Sequence, residues 1–322
     1  MVETDLLGGA VVIVSGKGGT GKTTVAAALA MAAVRAGKRV LLTDVEGREG
    51  PSALLGLIPP GFKERPTPFG FSMLSITPRE ALVEYLRLFF HMRTLSRTLA
   101  RGRLFETATD GIPGFRDLMV AGKLYELSTW RTGSTEREAR ERPQYDLVVV
   151  DAPPTGQLLP LLSAAPTFRD IIKGGRPHRQ LAAIDRLIRR QSRIALVAVP
   201  EEMAVVETVE TAGALEQGGF PRPVVVANRV RPPVFPRGTR AAGLRLSPEK
   251  MEPALARADI QATPLVATDL LDGALAEDAA VQAERRWLGR LKDAGPLVEL
   301  PLIASDRFGP EQVAELAGPL AP

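Results

Sequence analysis

Ten consecutive residues near the start of the chain, Ser15-Gly16-Lys17-Gly18-Gly19-Thr20-Gly21-Lys22-Thr23-Thr24, carry the clearest chemistry. From Gly16 to Thr23 they fit G-x-x-x-x-G-K-[ST]. Glycines at these spacings let backbone N–H groups converge on phosphate oxygens, and a following helix adds its partial positive N-terminus. Lys22 is placed to reach the β- and γ-phosphates, and the Thr23 hydroxyl to ligate Mg²⁺. Thr24 extends the same cradle. Far along the chain, Asp151 ends an apolar run and is followed by Ala152-Pro153-Pro154-Thr155-Gly156-Gln157. A carboxylate at such a strand end holds Mg²⁺ through water. The glycine and prolines that follow Asp151, Pro154 among them, suit a segment whose backbone moves with a bound γ-phosphate.

These residues need a frame, and the sequence supplies one. Ala10–Ser15 is a short, β-branched apolar run that reads as a buried strand. The alanine-rich stretch after the loop favours helix, and Gly37 sits where that helix should stop. Further strands are expected at Arg39–Val45, Phe71–Ile76, Tyr145–Asp151, Arg193–Val199, Arg222–Asn228 and Leu297–Ile303. Near-continuous apolar strands alternating with helices predict an α/β fold: a mainly parallel sheet covered by helices on both faces. Three helical inserts interrupt it, at about residues 79–142, 166–192 and 231–294. Ser134–Gln144 reads as an exposed linker. At 322 residues the chain allows two domains or one with insertions. The phosphate, metal and base residues span most of its length, so a single P-loop domain over 1–322 is expected.

Composition removes several function classes. There is no cysteine, and His91 and His178 are the two histidines. Disulfides, thiolate metal sites, zinc clusters and cysteine nucleophiles are therefore excluded. The net charge of +4 names no partner. The longest apolar run of the first helix, Val25–Val34, is about half of the roughly 20 residues that a membrane span needs. Glu3 and Asp5 stand where a basic signal region would be. The expectation is a cytoplasmic protein, with peripheral membrane contact left open.

The lysine at Lys17 adds specificity. KGGTGKTT resembles the deviant phosphate loop of the P-loop ATPases that include ParA, MinD, ArsA and the GET-pathway targeting ATPase. The segment DAPPTGQLLPLLSAAP is similar to its counterpart in the ArsA/GET family more than to those of ParA or MinD. Gln157 stands where that family has histidine. VEGREG, the EYLRLFF helix and DAPPTG look closest to the cysteine-free bacterial ArsA-like paralogues. The resemblance implies that Lys17 reaches across a dimer interface, so that ATP lies between two subunits. Aligned without gaps from Val40 to Gly56, the family's water-positioning aspartate falls on Glu46, with Asp44 two residues earlier as a group supporting Mg²⁺. Glutamate is one methylene longer, and errors near 1 Å cost about a hundredfold in rate, so slow hydrolysis is an expectation. Asn228 resembles the adenine-contacting asparagine, whose amide offers both donor and acceptor. Arg229-Val230-Arg231 follows it, not the guanine-reading N-K-x-D, which favours ATP over GTP. Pro301 is the expected second wall of the adenine site. The Val199–Thr208 segment also resembles the family, where it lies beside the dimer interface; its acids are alternatively helix N-terminal charges.

The resemblance implies Mg-dependent ATP hydrolysis coupled to opening and closing of a homodimer, or of a heterodimer with a paralogue, acting on a membrane-protein client or membrane partner. Zinc and thiolate-bound arsenite are excluded by the missing cysteines. The alternatives are an anion-efflux ATPase without a thiolate site and a ParA/MinD-like positioning ATPase. In the first insert Tyr85, Leu88, Met92, Leu95 and Leu99 share one helix face, a candidate surface for an apolar helix. Between Leu86 and Arg103 there are five arginines and no acids. Residues 166–193 hold eight basic residues and two acids, a net +6. Either charge run is a lipid or protein surface, or simply a solvated face. Without interleaved aromatics, nucleic acid is disfavoured.

Overall fold

The structure, a computed structural model, describes residues 5–45, 50–90, 112–129, 144–235, 238–260 and 263–321. Glu46, Leu88, Met92, Leu95, Leu99, the arginine run that ends at Arg103, and the linker at 134–143 lie outside the described residues or side chains.

The seven expected strands form, each within two residues of its predicted ends: β1 Val11–Gly16, β2 Val40–Val45, β4 Ser72–Ile76, β5 Leu147–Asp151, β6 Ser192–Ala198, β7 Val224–Val230 and β8 Leu297–Pro301. An eighth, β3 (Arg65–Pro66), has no apolar run to announce it. It pairs antiparallel with β4 at the sheet edge, where proline's missing N–H is tolerated. The order is β3-β4-β2-β5-β1-β6-β7-β8, and every other pairing is parallel.

Both faces of the sheet are covered. On one face lie α1 (Lys22–Arg35) and α11 (Pro310–Leu316). Helix α1 is buried at every position from Val25 to Ala33, because its alanines let a helix sit close to strands on one side and helices on the other. The short α2 (Gly50–Leu54) leans on it. On the other face pack α3 (Pro78–Phe90), α4 (Phe115–Thr129), α5 (Thr155–Ile171), α6 (Gly175–Arg186), α7 (Glu202–Gln217) and the long α10 (Pro264–Ala294). Two further helices, α8 (Arg240–Gly243) and α9 (Pro248–Arg257), precede α10. Arg240 clamps α8 to α10 through Asp278, and its charge holds that carboxyl below its usual range.

A helix that spans a membrane needs a long apolar stretch, and none among the described residues is long and apolar enough. The basic cluster at 166–193 is partly internal. Arg169 and Arg189 both pair with Asp185, and Arg189 also caps Gly218 and Gly219 carbonyls beneath the Phe220 ring.

Candidate functional site

Parallel pairing brings the C-terminal ends of the strands to one edge, where open α/β sheets bind ligands. The phosphate loop leaves β1 at that edge. Its glycines answer to geometry. Gly21 has φ of 92°, and a Cβ there would lie 2.3 Å from Asn228 Nδ2. Gly16 packs so close to β6 that a Cβ would lie 2.1 Å from the Val197 carbonyl oxygen. Gly18 and Gly19 face open space. Gly21 caps α1 with no side chain, so the first N–H groups of that helix are left to a ligand.

Asp151 lies opposite Asp44 in the β2–β5 register and opposite Val14 in the β5–β1 register. Partners in parallel register project to the same face, so both carboxylates lie on the α1 side. Thr23 Oγ1, one residue into α1, donates to Asp151 Oδ2 at 2.7 Å. Asp44 is 6 % exposed. Gly50 abuts this pair: a Cβ there would lie 3.2 Å from Thr23 and 3.6 Å from Asp151. A hydroxyl and two carboxylates of this kind suit a hard divalent cation such as Mg²⁺, whose remaining positions go to water and phosphate. No cluster of three or more histidine, cysteine or carboxylate side chains that could hold a metal ion exists among the described residues.

Lys22 Nζ folds back to donate to the Lys17 carbonyl at 3.2 Å. Lys17 Nζ lies 3.6 Å from Glu207 Oε2 on α7. Glu207 also accepts a hydrogen bond from Thr155, the first residue of α5 after Asp151. One carboxylate thus joins the phosphate loop to the segment behind the metal site. Glu207 falls inside the Val199–Thr208 segment, but nothing in its spacing marked it out from its neighbours. Thr155 is buried and was equally unmarked. Ser15 Oγ ties β1 to the same segment by donating to the Pro153 carbonyl at 2.6 Å. Pro154 immediately precedes α5.

Asn228 is 4 % exposed. Its Nδ2 donates to the Thr20 carbonyl at 2.9 Å, and its Oδ1 accepts from the Arg229 N–H. The amide expected at the base edge therefore braces the phosphate loop, 208 residues away in sequence. β7 is irregular here. Its register with β8 shifts between Ala227 and Val230, and Arg229 takes a φ of 59°. Pro301 is exposed and pairs with Val230, two residues beyond Asn228. The structure thus gathers Gly16 to Thr24, Asp44, Asp151, Pro154, Asn228 and Pro301 along one edge. Glu46 lies between the described Val45 and Gly50, which are both at that edge.

Residues 10–189 match the family model of the anion-transporting ATPases (ArsA). Among curated proteins, the chain is 35 % identical over 223 residues to ATPase BagA of Mycobacterium tuberculosis, covering 67 % of this chain and 64 % of that protein. It is 30 % identical over 201 residues to an uncharacterized protein, SCO2128, of Streptomyces coelicolor, covering 59 % of this chain and 45 % of the other. The chain thus spans a little under two thirds of the length of the first relative and under half of the second. A phosphate loop, a Thr–Asp hydrogen bond behind it and a shared sheet edge agree with that match, and the chain belongs to the ArsA family of anion-transporting ATPases.

Proposed function

We propose that the protein is a Mg-dependent ATP hydrolase that works as a dimer and uses Lys17 in trans. The observation that carries this reading is the Thr23–Asp151 contact directly behind a glycine loop with its helix N-terminus open. Backbone N–H groups of Gly16 to Thr23 bind the phosphates, and Lys22 swings from the Lys17 carbonyl onto them. Bound Mg²⁺ neutralises developing phosphate charge; Thr23, Asp44 and Asp151 are the residues that hold it. Glu46 orients the attacking water.

Opening and closing follow from the shared carboxylate. Glu207 holds Lys17 on its own subunit and Thr155 at the start of α5. A γ-phosphate that draws either one away loosens the other, and the change passes to α5 and the helical layer behind it. The partner is a second copy or a paralogue, and the helical layer of α3, α4 and α6 is the surface that meets a client or membrane partner.

Nucleotide titration and turnover test this. Lys22→Ala should abolish Mg-ATP binding. Lys17→Ala should bind Mg-ATP but neither hydrolyse it nor dimerise with it. Normal Mg-ATP affinity in the first variant would remove the phosphate-loop assignment. Normal turnover in the second would remove the action in trans.

A further inference from the structure

Three strand ends lie side by side on the α1 face of the sheet, in the order β4, β2, β5. Register pairs Ser75 of β4 with Asp44 of β2, and Asp44 with Asp151 of β5. Partners in parallel register project to the same face, so the Ser75 hydroxyl and the two carboxylates form one row. Thr23 closes that row at Asp151. Asp44, Asp151 and Thr23 suit a divalent cation. Ser75 has no role in that site as described so far, and nothing in the run Phe71–Ile76 marks it.

Ser75 is 5 % exposed, and its Oγ has no hydrogen-bond partner among the described residues. Its own N–H is spent on the Gly61 carbonyl at 2.8 Å. A buried hydroxyl in that state keeps its full desolvation penalty. The penalty is recovered in any state that offers the hydroxyl an acceptor. The next member of the row is a carboxylate, whose two oxygens have room for about four hydrogen bonds. Other contacts of Asp44 therefore leave a place for one from Ser75.

We infer that Ser75 is a positioning residue of the cation site: its Oγ–H donates to Asp44 when that carboxylate holds water on Mg²⁺. The inference rests on the Mg-dependent reading of the site proposed above and adds a residue to it. A carboxylate fixed through one oxygen keeps the other aimed at the metal's water. Groups that orient a metal's partners in this way contribute about tenfold to a hundredfold in affinity. Because the hydroxyl is satisfied in the loaded state and not in the free one, it shifts the balance toward the loaded state.

Ser75→Ala and Ser75→Thr separate this role from packing. Mn²⁺ suits the same oxygen ligands as Mg²⁺ and is read by electron paramagnetic resonance. It is titrated into the whole chain with a saturating non-hydrolysable ATP analogue. Affinity for the analogue is measured separately in EDTA, and thermal unfolding is followed with neither ligand. Ser75→Ala should bind Mn²⁺ about tenfold to a hundredfold more weakly, with its affinity for the analogue in EDTA unchanged. Without ligands it should melt no lower than the parent, because the deleted hydroxyl was unsatisfied. Ser75→Thr keeps the hydroxyl and suits a strand, so it should bind Mn²⁺ as the parent does.

Parental Mn²⁺ affinity in Ser75→Ala overturns the inference. So does a lower melting temperature of ligand-free Ser75→Ala, which would assign the hydroxyl to holding the fold. A loss of Mn²⁺ affinity in folded Ser75→Thr as large as in Ser75→Ala overturns it too. If Ser75→Thr does not fold, Ser75→Ala carries the test alone. A parent chain that binds the analogue but gains no Mn²⁺ site removes the metal reading of the proposed function, and this inference with it. A parental Mn²⁺ site that Ser75→Ala leaves intact removes the inference alone.

Discussion

The two faces of the sheet are built by opposite means. On the α1 face, side chains and backbone close up until no room is left for a methyl group at Gly16 or Gly21. Thr23, Asp151 and Asn228 each find a partner within 3 Å. On the other face, α3, α4 and α6 leave about 770 Å³ open, and the polar residues are collected at its ends. A site for phosphate needs fixed donors, because charge is stabilised by groups that do not have to reorganise. A site for an apolar ligand needs only shape and dryness, so it can be left as space between helices. The contrast teaches that rigidity in this molecule is concentrated where charge must be met.

That contrast can be broken from the tight side first. Gly21→Val places a branched side chain at a φ of 92° and into the Asn228 amide. Nucleotide binding should be lost altogether in a fluorescence titration, while the fold, read by circular dichroism, is kept. A folded variant that still binds Mg-ATP would show that the loop tolerates a side chain at Gly21. Asn228→Ala removes a buried hydrogen bond and leaves the Thr20 carbonyl without that donor. A loss of about 1–3 kcal/mol is expected in denaturant unfolding. If bracing is its whole role, ATP and GTP should weaken by the same factor. A loss confined to ATP shows that the amide also reads the base.

The open side should answer to charge and pH. Glu126 is held above its usual range by burial, with Lys123 pulling it back. A raised carboxyl pKa favours the folded state at low pH, and that contribution is lost as pH rises through the folded-state value. Lys123→Met removes the opposing cation and raises it further. The variant should lose about 1–2 kcal/mol at pH 7, with the deficit shrinking as pH falls toward 4.5, as thermal unfolding across pH would show. A deficit that does not vary with pH would mean that Lys123 acts by packing on Phe62.

The smallest effect is at the rim, remote from both sites. Arg39 clamps Asp146 through two side-chain bonds and a backbone N–H and holds its carboxyl down at about 2. A depressed pKa stabilises above the unfolded value and is lost as pH falls from about 3.8 toward 2. The pair is exposed, so Asp146→Asn should cost at most about 1 kcal/mol at neutral pH and progressively less as pH falls through about 2. A larger loss would show that joining the starts of β2 and β5 matters beyond the ion pair.

Much was legible in the sequence, for reasons that differ by element. The seven long strands are apolar because both sheet faces are covered, and such runs announce themselves. β3 is a two-residue edge strand with Pro66 in it, and no pattern marks so short a pairing. The phosphate loop is contiguous, and its glycine and lysine spacing is dictated by one ligand group, so it can be read without a fold. Asn228 was singled out as a contact of the base, but its bond to the Thr20 carbonyl could not be read. That bond joins segments 208 residues apart in the chain, and only the folded sheet brings them together.

By itself the sequence singled out the residues that fit phosphate and a divalent cation, the strands that carry them, and the chemistry that the missing cysteines forbid. These are properties of neighbouring residues, and local geometry settles them. The tertiary structure alone decided that Glu207 links Lys17 to Thr155, that an asparagine 208 residues away braces the loop, and that the helical face encloses a cavity. Each of these arises where distant segments meet, and the distance between them is set by packing, which no local pattern records.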